Sequence, residues 1–144
     1  MKIGIASDHR GYLLKEKIKE ALASEYSFED FGTDSTDSVD YPDYAFKLGE
    51  YVALGNMGIA ICGSGIGISI AMNKVKGVRC ALLREIEEAK TTRIDNDSNA
   101  LAISGSMDLD KTLAIIRTFM NTKHPACERH DRRIKKIKDY EDLC

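Results

Sequence analysis

The residues best able to do chemistry stand in the stretch AICGSGIGIS, residues 60–69, where Cys62 closes an apolar run and Gly63, Gly65 and Gly67 follow at every second position. Glycines spaced this way let backbone N–H groups approach an anion at the start of a helix beginning near Ile66, where the helix dipole also favours negative charge. A dinucleotide loop would need G-x-G-x-x-G and an acidic residue about 20 positions on, at the end of the next strand. Here the order is G-S-G-I-G and the next apolar run, GVRCALL, ends without an acid. A Walker loop would need G-K-S/T, which is absent. Cys62 has two readings. It is either a small buried hydrophobe or a thiolate, favoured by nearby amides and a helix N-terminus, that serves as base or nucleophile. The residue pattern alone leaves both open, and Ser64 likewise either donates its hydroxyl to a substrate oxygen or fills a turn.

The surrounding periodicity says what must position this loop. KIGIA at 2–6, YSFEDF at 26–31, MGIAIC at 57–62, GVRCALL at 77–83 and NALAIS at 99–104 read as five short strands. Helical stretches separate or follow them: 12–24, 43–55 with Pro42 near its start, 66–73, 85–92 and 109–121. Alternating strands and helices predict an α/β fold, a Rossmann-like three-layer α/β/α sandwich around a five-stranded parallel sheet, in one domain spanning 1–144. In such sheets ligands bind beyond the carboxyl ends of the strands. That rule selects SDHRG after the first strand, CGSGIG after the third and the region Ser104 to Met107 after the fifth. Asp8 and His9 then stand as an acid and an imidazole at one strand end, although Asp8 alone would serve as a helix cap. DNDSN at 95–99 reads as an Asx-rich turn.

A C-terminal basic helix is expected at about 126–140, with six Lys or Arg against one Asp between Arg129 and Lys138. Lys135, Lys136 and Lys138 read as a solvated face. Arg129, His130 and Arg133 share one side of that helix and would make an anion clamp.

Composition narrows the class. The formal net charge of −2 gives no footprint for nucleic acid or a membrane surface. The four cysteines are far apart, with no C-x-x-C pair, and no signal-like segment follows Met1, which fits a reducing cytoplasm. Cys80, Cys127 and Cys144 are assigned to packing or surface. Cys and His are too scattered for zinc spacing, so neither metal nor cofactor is expected.

Five blocks in order carry a resemblance covering nearly the whole chain: SDHRGY at 7–12, DFGTDS at 30–35 with VDYPDYA at 39–45, ICGSGIGISIAMNKVKGVR at 61–79, NDSNALAI at 96–103 and ERHDRRI at 128–134. Together they resemble the sugar-phosphate isomerase family that contains ribose-5-phosphate isomerase B and the galactose-6-phosphate isomerase subunits. The resemblance implies a dimer, or a dimer of dimers, with the site shared between subunits. It also implies proton transfer between C1 and C2 of an opened sugar phosphate through a cis-enediol, without metal or nucleotide, with ribose 5-phosphate and ribulose 5-phosphate as the leading pair. By position, Cys62 would be the base and Ser64 would act in ring handling. Gly63, Gly65, Ile66 and Gly67 would cradle the enediol oxygens, Asp8 and His9 would contact the sugar, and Asn96 would bind a substrate oxygen. Arg129 and Arg133, with His130 beside them, would hold the phosphate.

Two positions depart from the family pattern. Asp95 stands where the family commonly has the histidine that opens the sugar ring, and Ser106 stands where it commonly has a phosphate-binding arginine. The expected substitutes are His130 or Asp95 for ring opening, and Arg84 or Arg93 for the missing charge. ALLREIEEA at 81–89 is also similar to a galactose-6-phosphate isomerase subunit that works with a different chain, which brings in a hexose 6-phosphate substrate and a hetero-oligomer as alternatives. A sugar-phosphate-binding protein with weakened turnover is the third reading.

Overall fold

The computed structural model describes residues 2–143. Five strands form one sheet: β1 (Lys2–Ser7), β2 (Ser27–Asp30), β3 (Met57–Cys62), β4 (Cys80–Leu82) and β5 (Ala100–Ser104). Every pairing is parallel and the order is β2-β1-β3-β5-β4. The helices are α1 (Tyr12–Ala21), α2 (Tyr41–Ala53), α3 (Ile66–Met72), α4 (Ile86–Asn96), α5 (Leu109–Asn121) and α6 (Glu128–Glu141). The expected sandwich is therefore present.

The strands differ in what they show to each side, because alternate residues face opposite ways. Ile3, Ile5, Ile59, Ile61, Leu101 and Ile103 face a core closed by α1, α4 and α5, with Phe119 and Ile116 fully buried there. The other face carries Ala6, Ala60, Ala100, Ala102 and Cys62 and is covered by α2 and α3. This small-residue face lets α2 settle close to the sheet. A Cβ at Gly58 would stand 2.6 Å from Val52, and one at Gly4 would stand 2.6 Å from Leu48.

The chain leaves β1 toward one face, through α1, and leaves β3 toward the other, through α3. Adjacent parallel strands whose connections diverge open a crevice at their carboxyl ends, and that is where ligands bind in open α/β sheets. The fold thus places SDHRG and CGSGIG side by side.

Several boundaries differ from the sequence expectation. β4 is confined to Cys80–Leu82 because the Asn99 side chain binds the chain before it, accepting from Arg79 N–H (2.8 Å) and donating to the Gly77 carbonyl (2.8 Å). α4 runs on to Asn96, so Asp95 and Asn96 form its last turn instead of a free Asx turn, and Asp97 ends the helix in the left-handed region (φ 45°). α1 stops at Ala21, α2 begins at Tyr41, and α6 begins at Glu128 after Cys127.

One buried charge ties α1 to β2. Lys15, 1% exposed, donates to Asp30 Oδ2 (2.6 Å) and Glu16 Oε2 (2.9 Å), and Lys19 reaches the same Asp30 oxygen (2.7 Å). Burial pushes the Asp30 carboxyl up, but hydrogen bonds from Lys15, Lys19 and the Gly32 N–H outweigh it and hold the group below its usual value. A carboxyl with a lowered folded-state pKa stabilises the fold above its ordinary range and loses that contribution as pH falls through the lowered value. Asp30→Asn is expected to cost about 1–3 kcal/mol near neutral pH. Urea denaturation across an acid pH series should show a shallower fall in stability for the variant than for the wild type.

Candidate active site

Three turns interlock at the crevice. The Asp8 N–H donates to the Ile61 carbonyl (3.1 Å), the Gly105 N–H to the Cys62 carbonyl (2.8 Å), and the Ser104 hydroxyl to the Gly63 carbonyl (2.6 Å). Between them opens a cavity of about 780 Å³. Its walls come from Asp8, His9 and Arg10, from Cys62, Gly63, Ser64 and Gly67, and from the segment Val39 to Asp43 that leads into α2.

Cys62 ends β3 on the small-residue face and is 4% exposed. Its Sγ accepts the Gly65 N–H at 3.2 Å. Gly65 adopts φ +79°, which favours glycine, and a Cβ there would lie 2.8 Å from Leu82 and from the Ile103 backbone. That left-handed residue turns the chain into α3. The Ser64 hydroxyl accepts the Ile66 N–H (3.1 Å), so its own proton is left for another acceptor. The N–H groups of Gly67 and Ile68 belong to the first turn of α3 and have no acceptor within the helix. Gly67 also leaves room for Tyr41, whose ring a Cβ at 67 would meet at 2.6 Å.

His9 Nδ1 accepts the Val39 N–H at 3.2 Å. In the neutral ring that fixes the proton on Nε2, which becomes a donor. Asp8 Oδ1 accepts from the Arg10 and Gly11 N–H groups (2.9 and 3.1 Å), so this carboxylate builds the turn before α1 as well as lining the cavity.

A second polar cluster lies where α4 ends and α6 begins. His130 Nε2 is 3.6 Å from Asp95 Oδ1. Asn96 Oδ1 accepts the Thr92 hydroxyl (3.1 Å). Arg129 and Arg133 are exposed, one turn apart on α6, and neither makes a hydrogen bond or ion pair among the described residues. Their neighbour Arg132 is tied to Glu128 (2.7 Å), and Lys135 to Asp139 (2.7 Å). This cluster is at the far end of the sheet from Cys62. α4 starts beyond β4 and runs back to its beginning, where the Asn96 carbonyl accepts from Arg79 Nε (3.0 Å). That level matches Gly58 and Ala100 in the register, and four residues of β3 at about 3.3 Å each separate it from Cys62.

The family profile described as Ribose/Galactose Isomerase matches residues 3–137. A putative sugar phosphate isomerase of Bacillus subtilis is 46% identical over 148 residues, covering 99% of this chain and 98% of its own. The structure of ribose-5-phosphate isomerase B from Clostridium thermocellum superposes with a TM-score of 0.95 at 44% identity, covering 99% of both chains. That of ribose-5-phosphate isomerase B from Mycoplasma genitalium, solved with ribulose 5-phosphate bound, gives 0.94 at 36% identity, covering 99% of this chain and 97% of its own. The chain belongs to the ribose/galactose isomerase family.

Within the isomerase, Asp8, His9, Cys62, Gly63, Ser64 and Gly67 meet in one cavity, with Gly65 buried behind Cys62. The Ile66 side chain is exposed and outside the lining. Asp95, Asn96, Arg129, His130 and Arg133 form the separate cluster. Neither expected substitute for the missing arginine reaches the cavity. Arg93 is buried and committed to the Thr122 and Ser98 carbonyls and the Asp97 carboxylate (3.0, 2.6 and 2.9 Å), and Arg84 stands exposed after edge strand β4. Arg10 and the segment Val39 to Asp43 are the wall residues that sequence reasoning passed over. Arg10 was visible inside SDHRG, but nothing in the pattern showed which way it would lean. Burial pushes the Cys80 thiol up to about 12, which suits packing. Cys144 lies outside the described residues.

His124 fastens the second cluster. Its Nδ1 bonds the Ile94 carbonyl (2.7 Å) on α4 and its Nε2 bonds Asp131 Oδ1 (2.6 Å) on α6. The hydrogen bond to Asp131 raises the His124 pKa above the ordinary histidine value, while Asp131 is lowered chiefly by the same bond. A raised folded-state pKa gives stabilisation that is complete below the ordinary value and disappears as pH rises through the raised one. Protection of the α6 amides from hydrogen exchange, taken relative to the unfolded-chain rate at each pH, is therefore expected to step down in the wild type as pH rises through that raised value. His124→Ala should exchange fast throughout, without the step, and a step of unchanged size in that variant would contradict the assignment.

Proposed function

We propose that the isomerase interconverts the aldose and ketose forms of a sugar phosphate, with ribose 5-phosphate and ribulose 5-phosphate as the pair, and that Cys62 is the base. The supporting observation is the setting of Cys62: a sulfur at the floor of the switch-point cavity, contacted by one backbone N–H and facing the start of α3. In the open-chain aldose, the Cys62 thiolate removes the proton from C2 while the C1 carbonyl oxygen gains charge. The Gly67 and Ile68 N–H groups and the His9 Nε2–H are the donors available to that oxygen. O1 of the enediolate takes up a proton as O2 gives one up, and the proton abstracted from C2 is returned by the thiol to C1, which leaves a C2 ketone with C1 as a hydroxymethyl group and restores the thiolate. No net oxidation occurs.

Ring opening and phosphate binding fall to the second cluster. Asp95 and His130 form an acid–imidazole pair that can exchange a proton with the ring oxygen, and Arg129 with Arg133 present two unpaired guanidinium groups for phosphate. Since these residues and Cys62 occupy opposite ends of one chain, we propose a homodimer, or a dimer of dimers, in which the Arg129 cluster of one copy completes the Cys62 cavity of the other. The protein acts on a small molecule. No described helix is long and apolar enough to cross a membrane, and Cys62, Cys80 and Cys127 are unpaired. We place it in the cytoplasm, where thiols stay reduced.

The test follows conversion of aldose pentose and hexose phosphates by the purified protein. The cavity has room for six carbons, and hexose 6-phosphate turnover exceeding that of ribose 5-phosphate would reassign the substrate. Cys62→Ala is expected to lower kcat by about 10²–10⁴-fold with little change in KM. Arg133→Ala is expected to raise KM about 10-fold or more while kcat holds. Absence of turnover on every pentose and hexose phosphate would remove the isomerase reading in favour of sugar-phosphate binding alone.

A further inference from the structure

We propose that Arg10 is a phosphate-binding residue of the cavity, supplied from the same chain as Cys62. The inference rests on the sugar-phosphate reading given above. Arg10 is the one lysine or arginine among the described residues that line the cavity. Its stem crosses Gly63: a Cβ at that position would meet Arg10 Cδ at 2.8 Å and Nη1 at 3.3 Å. Gly63 is therefore the gap that lets the guanidinium lie over the glycine loop.

The guanidinium is also uncommitted. Asp8, Asp40 and Asp43 line the same cavity, yet Arg10 has no side-chain hydrogen bond or ion pair among the described residues. Of these acids, Asp8 is engaged through Oδ1 with the Arg10 and Gly11 N–H groups. An exposed arginine that could pair with a carboxylate and does not keeps its planar fork of donors for a ligand oxyanion.

The neighbourhood points to the phosphate end of the substrate. The donors for the reacting oxygen sit on the α3 side of Cys62, whereas Arg10 approaches from the opposite side, out of the turn between β1 and α1. The turn after β5 adjoins it, since a Cβ at Gly105 would run into the Arg10 carbonyl. That turn carries Ser104 and Ser106, whose hydroxyls are 2.8 Å apart. A phosphate resting there meets the Arg10 guanidinium and the Ser106 hydroxyl. Arg10 and residue 106 thus serve one anion, which explains how Ser106 is tolerated at a position with no charge of its own.

Arg10→Ala, Arg10→Lys and the double variant Arg10→Ala with Ser106→Arg test this, with thermal unfolding used to confirm that each is folded. The readouts are KM and kcat for ribose 5-phosphate, and calorimetric binding of inorganic phosphate, which needs no turnover. Arg10→Ala is expected to raise KM and weaken phosphate binding by about 10- to 100-fold with kcat nearly unchanged. Arg10→Lys should recover part of the loss, and Ser106→Arg in the Arg10→Ala background should recover most of it. Unchanged phosphate binding in Arg10→Ala would overturn the proposal, as would a fall in kcat at constant KM. If the wild type turns over no sugar phosphate, the isomerase reading fails, and the phosphate titration still decides the role of Arg10.

Discussion

The site depends on how closely three backbone turns approach one another at the carboxyl edge of the sheet. The turn after β1 bonds to the last residues of β3, and so does the turn after β5. There is no room between them for side chains: a Cβ at Gly11 would lie 2.6 Å from the Ile61 carbonyl oxygen, and one at Gly65 would strike the Ile103 backbone. This contact replaces water with protein hydrogen bonds around Cys62 and fixes the direction in which His9, Arg10 and Ser64 leave the backbone. A bulkier residue at any of these glycines would have to separate the turns, and the cavity would lose its walls together.

The same constraint explains the division of charge. The Cys62 side of the site is built from backbone donors, an imidazole and a single arginine. The greater positive charge, Arg129 and Arg133, is carried by α6 at the other end of the chain, anchored through buried Ile134 and the His124 bridge. In the proposed dimer each chain supplies two incomplete halves. Two copies related by a two-fold axis would pair each half with its complement, and such an isologous arrangement creates two equivalent sites. Turnover then becomes a property of the assembled protein, while the fold of each copy remains its own.

Much of this was legible in the residues. The strand runs have short, continuous apolar character, and Leu109–Asn121 has clear helical periodicity; both segments lie where they were expected. The glycine spacing marked the turn from β3 into α3 and put Cys62 at the end of the strand before it. The last turn of α4 was hidden because Asp, Asn and Ser at 95–99 favour turns locally, and the helix is held there by Arg79, which donates to the Asn96 and Asp97 carbonyls, and by Arg93 one turn back, which donates to the Asp97 carboxylate. β4 was overestimated because its apolar run begins before the ladder does, the intervening residues being held by the Asn99 side chain. The roles of Arg10 and Tyr41 were beyond the pattern altogether, since each depends on a missing Cβ in a distant turn.

The central claim, that the Cys62 cavity and the Arg129–Arg133 cluster come from different copies, is tested most directly by subunit complementation. Cys62→Ala and Arg133→Ala chains, each with low turnover at subsaturating ribose 5-phosphate, are unfolded together, refolded as an equal mixture and assayed. Random pairing of a two-fold dimer restores one intact site in each mixed pair, so activity should rise to about a quarter of the wild-type value. Activity no greater than the mean of the two separate variants would show that each site is built from a single chain.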